Sequence, residues 1–231
     1  MARAVEVFRS LAFYAAFYIG TAVYVGAALA TLPFSRGGFI RVVDGWSHFH
    51  RWCVIHVLGI RVEIEGEVPD SGVLVAIKHE SFFEAIDLPT ALNHPVVFAK
   101  AELLRIPFWG RAGGAYGLIP VERNQGASAL RAMIKKARAL TAEGRPLAIF
   151  PEGTRVAHGE RPELRSGFAG TYKLLGLPVV PVAVDSGPLY HRRWKKRGTI
   201  TYRVGEPIPA GLPRPELEGR VIEAINSLNS P

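Results

Sequence analysis

One cysteine, Cys53, occurs in 231 residues. A lone thiol excludes an internal disulfide framework and leaves no cysteine set for zinc. Acidic residues are the minority, 20 against 28 lysines and arginines, which gives a formal charge of +8. That surplus suits polyanionic partners: anionic lipid, nucleic acid, or phosphorylated and CoA-like ligands. Charge is absent altogether from Leu11 to Pro33 (LAFYAAFYIGTAVYVGAALATLP). As a helix rising about 1.5 Å per residue, such a run reaches roughly 30 Å, enough to cross or deeply enter a bilayer. Among polyanions this favours a phospholipid membrane, and no nucleic-acid partner is expected. Low-complexity tracts and internal repeats are also missing, and 48% hydrophobic residues provide ample material for a core.

Tyr14, Tyr18 and Tyr24 are spread along the apolar run rather than gathered at its ends, so an interfacial lie fits as well as a full span. Arginines flank both sides (Arg3 and Arg9; Arg36 and Arg41), and loop charge does not set an orientation. Phe39 to Leu58 has helical periodicity with Trp, His and Arg interleaved, which predicts a second, amphipathic helix at the membrane surface or against the first. Residues 1–58 are therefore expected to form a membrane-associated helical region, and 59–231 a separate domain.

From Arg61 the texture changes to short β-branched runs alternating with helical stretches. Strands are predicted at Arg61–Gly66, Val73–Lys78, Val96–Ala99, Gly117–Arg123, Leu147–Phe150, Val179–Val184 and Thr199–Val204. Helices are predicted from Ser81 to about Asn93, over Ala127–Thr141 and over Glu216–Leu228. The expected class is α/β: a mixed, largely parallel sheet flanked by helices, preceded by the membrane-associated helical pair.

The stretch KHESFFEAID (Lys78 to Asp87) sets His79 among Glu80, Glu84 and Asp87. On one straight helix a separation of five turns the direction by about 140°, so His79 and Glu84 would not meet. They can meet if His79 ends the strand and Glu84 lies in the first turn of the next helix. The same tetrapeptide, Ser81 to Glu84, is also a capping box, which accounts for Glu84 without catalysis. Elsewhere, FPEGTR (Phe150 to Arg155) follows an apolar strand and offers an anion a Gly-Thr turn and a guanidinium clamp. Gly117–Arg123 (GLIPVER) sets Arg123 beyond a strand, and Lys100 ends its strand likewise. Positive residues at several strand ends form a candidate phosphate pocket.

Together these segments resemble the 1-acyl-glycerol-3-phosphate acyltransferase family of glycerolipid acyltransferases. KHESFFE resembles the family's His-x4-acid block, GLIPVER its second block, FPEGTR its third letter for letter, and Val180-Pro181-Val182 its fourth. There are two departures: Glu84 stands where aspartate is more usual, and Pro120 where phenylalanine is. The resemblance implies acyl transfer from an acyl thioester (acyl-CoA or acyl carrier protein) to the hydroxyl of a lysophospholipid acceptor, 1-acyl-glycerol-3-phosphate, with no metal and no other cofactor. It implies His79 as general base and Glu84 as its orienting acid, with Asp87 and then Glu80 as fallbacks. If Glu84 serves His79, Ser81 is expected to cap alone. Lys100, Gly117, Arg123, Glu152, Gly153, Thr154, Arg155 and Pro181 would bind or shape the substrate pocket. The implied setting is a bacterial inner membrane with the catalytic domain, 59–231, on the cytoplasmic side. Another lysolipid acceptor, such as a lyso-ornithine lipid, is a second reading. A non-catalytic lipid binder is a third, for which the basic, aromatic stretch YHRRWKKR (Tyr190 to Arg197) would supply headgroup contacts.

Overall fold

The computed structural model describes residues 2–121 and 127–229. It opens with two helices, α1 (Ala2–Thr31) and α2 (Arg36–Trp52), the second continued by a π-helical turn, Cys53–Leu58. Then follow β1 (Ile60–Glu65), β2 (Leu74–Ile77), α3 (Phe82–Ala91), β3 (Val96–Lys100), α4 (Ala101–Leu104), α5 (Trp109–Tyr116) and β4 (Leu118–Val121). The second half contains α6 (Ala127–Thr141), β5 (Leu147–Ile149), α7 (Ser166–Leu175), β6 (Val179–Val184), α8 (Gly187–Tyr190), β7 (Gly198–Val204) and α9 (Arg214–Ile225). The seven strands form one sheet in the order β1-β7-β6-β2-β5-β3-β4. Every neighbouring pair is parallel except β6 and β7.

The expected class is the observed one, and strand alternation explains its two cores. Along β2, Val75 and Ile77 face a cluster that includes Phe13, Phe17, Val182 and Ile200. Leu74 and Ala76 face the opposite cluster, with Phe98, Ile134, Phe168, Leu217 and Val221. The first cluster explains the behaviour of α1. Phe13 and Phe17 are buried against the sheet, while Phe8, Tyr18, Ile19 and Val23 point outward and are exposed. A helix of a water-soluble surface would carry polar residues on that outer stripe. α1 is long and apolar enough to cross a membrane.

Four helices escape the sequence pattern: α4, α5, α7 and α8. Each is ten residues or shorter, too brief for a clear period. α1 begins well before the charge-free run, since Arg3, Glu6 and Arg9 belong to the same helix. α2 lies against α1 and is tied to α3 by Ser47, whose Oγ donates to the Ile86 carbonyl at 2.9 Å. Arg51 binds both oxygens of Asp87, and Tyr202 donates to Asp87 Oδ2 at 3.0 Å. Burial pushes the Asp87 carboxyl up, and these donors pull it back only in part.

If α1 is part of this core, Phe13→Ala should cost about 3–5 kcal/mol in chemical denaturation in detergent. A loss below about 1 kcal/mol would detach α1 from the sheet's core.

Candidate functional site

β6, β2 and β5 lie side by side and run parallel, so their carboxyl ends reach one edge together. In open parallel sheets ligand crevices form at that edge. β2 delivers His79 there, β5 delivers the FPEGTR turn, and β6 delivers Ser186.

His79 Nδ1 lies 2.9 Å from Glu84 Oε1. The same oxygen accepts from the Glu80 and Ser81 amides, each at 2.6 Å. Glu84 Oε2 accepts from Ser186 Oγ at 2.6 Å and from Ser81 Oγ at 3.0 Å. Burial pushes the Glu84 carboxyl up, but the bonds from His79, Ser186 and Ser81 outweigh it and hold it below the usual glutamate range. An ionised carboxylate only accepts, so Nδ1 is assigned as the donor and Nε2 carries the lone pair. Nε2 has no hydrogen-bond partner among the described residues, and His79 lines a cleft. Phe150 stacks on the imidazole with ring centroids 4.1 Å apart, which fixes its plane.

Glu84 is thus the partner of His79. Asp87 is occupied by Arg51 and Tyr202, and Glu80 faces away to His158 Nδ1 at 2.9 Å and the Gly187 amide at 2.8 Å. The expectation that Ser81 caps alone is overturned: the capping box is complete on both sides. Because His79 lies in the short connection between β2 and the cap, imidazole and cap amides converge on one oxygen, and one side chain serves both.

Other predicted residues divide. Lys100, Gly153 and Arg155 line the cleft with His79, and Arg155 lies 4.1 Å above the Phe82 ring centroid. Gly153 has φ 65°, and a Cβ there would sit 2.9 Å from Arg165 Cγ, so a side chain would be strained and crowded. Glu152, Thr154, Gly117 and Pro181 are not brought to the cleft wall. Glu152 is buried beneath it: Oε1 accepts from Lys78 Nζ at 2.7 Å and Oε2 from the His79 amide at 2.9 Å. Lys78 also donates to Asn226 Oδ1 at 2.8 Å. Glu152 therefore pins the backbone of the histidine. Pro181 lies inside the fully buried β6, and Thr154 is exposed on its turn. Gly117 has φ 136°, and a Cβ would meet Arg145 Nη2 at 2.3 Å; its task is to let Arg145 pass. Arg123 lies outside the described residues.

Residues that sequence reasoning missed are Ser186, Lys78 and Asn226. A lysine closing an apolar strand (VLVAIK) was a readable signal for a buried ion pair; a serine in the turn after VVPVAV was not. The cleft has a volume of about 2340 Å³ and continues from His79 between α1, α3 and α5, where Phe17, Val25, Ile86 and Ala112 make its walls apolar. YHRRWKKR joins α8 to β7 and contributes His191, Arg192, Arg193 and Lys195 to the same rim. It is fastened to α1: the Lys195 amide donates to Ser10 Oγ at 2.8 Å and Tyr14 OH donates to the Arg193 carbonyl at 2.7 Å. Burial pulls the Lys195 ammonium down to about 8.

A cleft with an acid-oriented histidine at one end, cations on its rim and apolar walls beyond suits chemistry on a charged lipid. The family profile described as Acyltransferase matches residues 59–185. A 1-acyl-sn-glycerol-3-phosphate acyltransferase of Pseudomonas aeruginosa is 32% identical over 232 residues, covering 97% of this chain and 87% of that protein. The chain belongs to the 1-acyl-sn-glycerol-3-phosphate acyltransferase family. The enzyme of that name from Bacillus subtilis is 31% identical over 176 residues, 73% of this chain and 85% of that protein. The crystal structure of the 1-acyl-sn-glycerophosphate acyltransferase of Thermotoga maritima superposes with a TM-score of 0.76, covering 97% of this chain and 96% of that one. At 21% identity this match speaks for the fold.

Lys78→Met should leave the Glu152 carboxylate buried without its cation and cost about 3–5 kcal/mol in denaturant-induced unfolding. An unchanged midpoint would show that the Lys78–Glu152 pair does not support the turn.

Proposed function

We propose that the protein transfers a fatty acyl group from an acyl thioester, acyl-CoA or acyl carrier protein, to the free hydroxyl of 1-acyl-glycerol-3-phosphate, forming phosphatidic acid. The observation that carries this reading is His79: Nδ1 is held by Glu84, and the ring lines the cleft that Arg155 and Lys100 also line. An alcohol is a poor nucleophile at neutral pH. Nε2 accepts its proton as the oxygen attacks the thioester carbon, and Glu84 stabilises the imidazolium. The C–O bond forms, the C–S bond breaks, and the proton passes from Nε2 to the departing thiolate. The substrate hydroxyl takes the place that a serine has in a hydrolase triad, so no acyl-enzyme is needed.

Arg155 and Lys100 hold the acceptor phosphate, with Arg123 assigned to the same task by its place in the second motif. The names of the Pseudomonas aeruginosa and Bacillus subtilis relatives support this acceptor. The apolar part of the cleft receives the acyl chains, which approach from the membrane along α1. Residues 1–58 act as the membrane-associated region and 59–231 as the catalytic domain, on the cytoplasmic side of a bacterial inner membrane.

His79→Ala should lower turnover of lysophosphatidate and acyl-CoA in detergent by about 10²–10⁴-fold while the protein stays folded and membrane-bound. Substantial residual activity would remove the base assignment, whereas membrane binding with no turnover in the parent protein would favour a lipid binder. Arg155→Ala should raise the apparent KM for lysophosphatidate about tenfold or more with a smaller change in kcat. An unchanged KM, or faster turnover of an acceptor without phosphate in a parallel panel, would transfer the specificity to another lysolipid.

A further inference from the structure

Ser186 stands at the place of an N-cap, immediately before α8, yet its hydroxyl makes no cap bond. It turns inward instead. Ser186 Oγ donates to Glu84 Oε2 at 2.6 Å and lies 2.7 Å from Ser81 Oγ. Both serines are fully buried, so neither contact competes with water. With the first carboxylate oxygen on His79 and two amides, and the second on two hydroxyls, neither oxygen of Glu84 lacks a donor.

We propose that Ser186, backed by Ser81, is a positioning residue for acyl transfer: its hydroxyl locks the second oxygen of Glu84 so that the first stays on His79 Nδ1. The terminal torsion of a glutamate is broad, and glutamate has one more rotatable bond than aspartate. With its second oxygen held by Ser81 alone, the carboxylate gains freedom to turn about that bond, and its contact with Nδ1 loosens. Ser186 removes this freedom from the β6 side of the site, across a chain separation of 102 positions. The inference rests on the His79 dyad of the preceding section. A merely structural role would be different: a hydroxyl that only compensates a buried charge would affect stability and leave turnover alone.

The test is steady-state kinetics with lysophosphatidate and acyl-CoA on detergent-solubilised full chain, with thermal melting alongside. Ser186→Ala should lower kcat about 10- to 30-fold while KM for both substrates stays within about twofold, one lost orienting hydrogen bond being worth roughly that factor. Ser186→Cys keeps the shape but has a weaker donor, and should fall between the parent and Ser186→Ala. In a Glu84→Asp background the shorter acid no longer reaches Ser186, so Ser186→Ala should cost less than about twofold there. Parental kcat in Ser186→Ala, parental kcat in Ser186→Cys, or an equal loss in the parent and in the Glu84→Asp background would each overturn the proposal. Should the alanine variant melt below the assay temperature, the cysteine variant, compared in the parent and in the Glu84→Asp background, still decides. Failure of the dyad itself is read separately, as full activity in His79→Ala.

Discussion

An ionised carboxylate withdrawn from water must be surrounded by donors, and the site is organised by how Glu84 meets that demand. Its donors come from three places: the imidazole and cap amides of residues 79–81, the Ser81 hydroxyl, and Ser186 at the end of β6. To bring them within about 3 Å, β2 must end at the helix cap and β6 must lie beside β2 in parallel register. Both hold in the sheet. The charge that orients the histidine is therefore also a reason for the local fold. Neighbouring buried ions follow the same rule: Asp87 is satisfied by Arg51 and Tyr202, and Glu152 by Lys78 and the His79 amide.

A second constraint acts on α1. Its inner stripe belongs to the sheet's core through Phe13 and Phe17, and its outer stripe is apolar and exposed. Water disfavours the outer stripe, and the sheet favours the inner one, so the helix is suited to a boundary between protein and lipid. The basic loop 191–197 is fastened to this helix at Ser10 and Tyr14, which sets its cations beside the apolar surface. Cation and hydrocarbon side by side match the two parts of a phospholipid.

The alternation of apolar strands with helices was legible in the sequence because period and composition are local properties. The residues alone allowed His79 to meet Glu84 but left the capping box as an equal account, and the family resemblance chose Glu84. Two features were not legible. The double service of Glu84 depends on imidazole and cap amides converging on one oxygen, which spacing alone does not describe. The family resemblance implied Glu152 as a pocket residue, but its Lys78 partner lies 74 positions away and its orientation is inward. Proline in VVPVAV invited a similar misplacement; Pro181 is buried within the strand. Short helices such as α5 and α8 were lost because a turn or two of helix shows no period.

The Lys78–Asn226 bond joins positions 148 residues apart. A ribosome adding about 5–20 residues per second needs roughly 7–30 s to make that interval. Throughout it α1 has already been synthesised, while the lysine under the histidine still lacks its amide partner. The apolar helix and the turn that holds His79 are thus completed at different times.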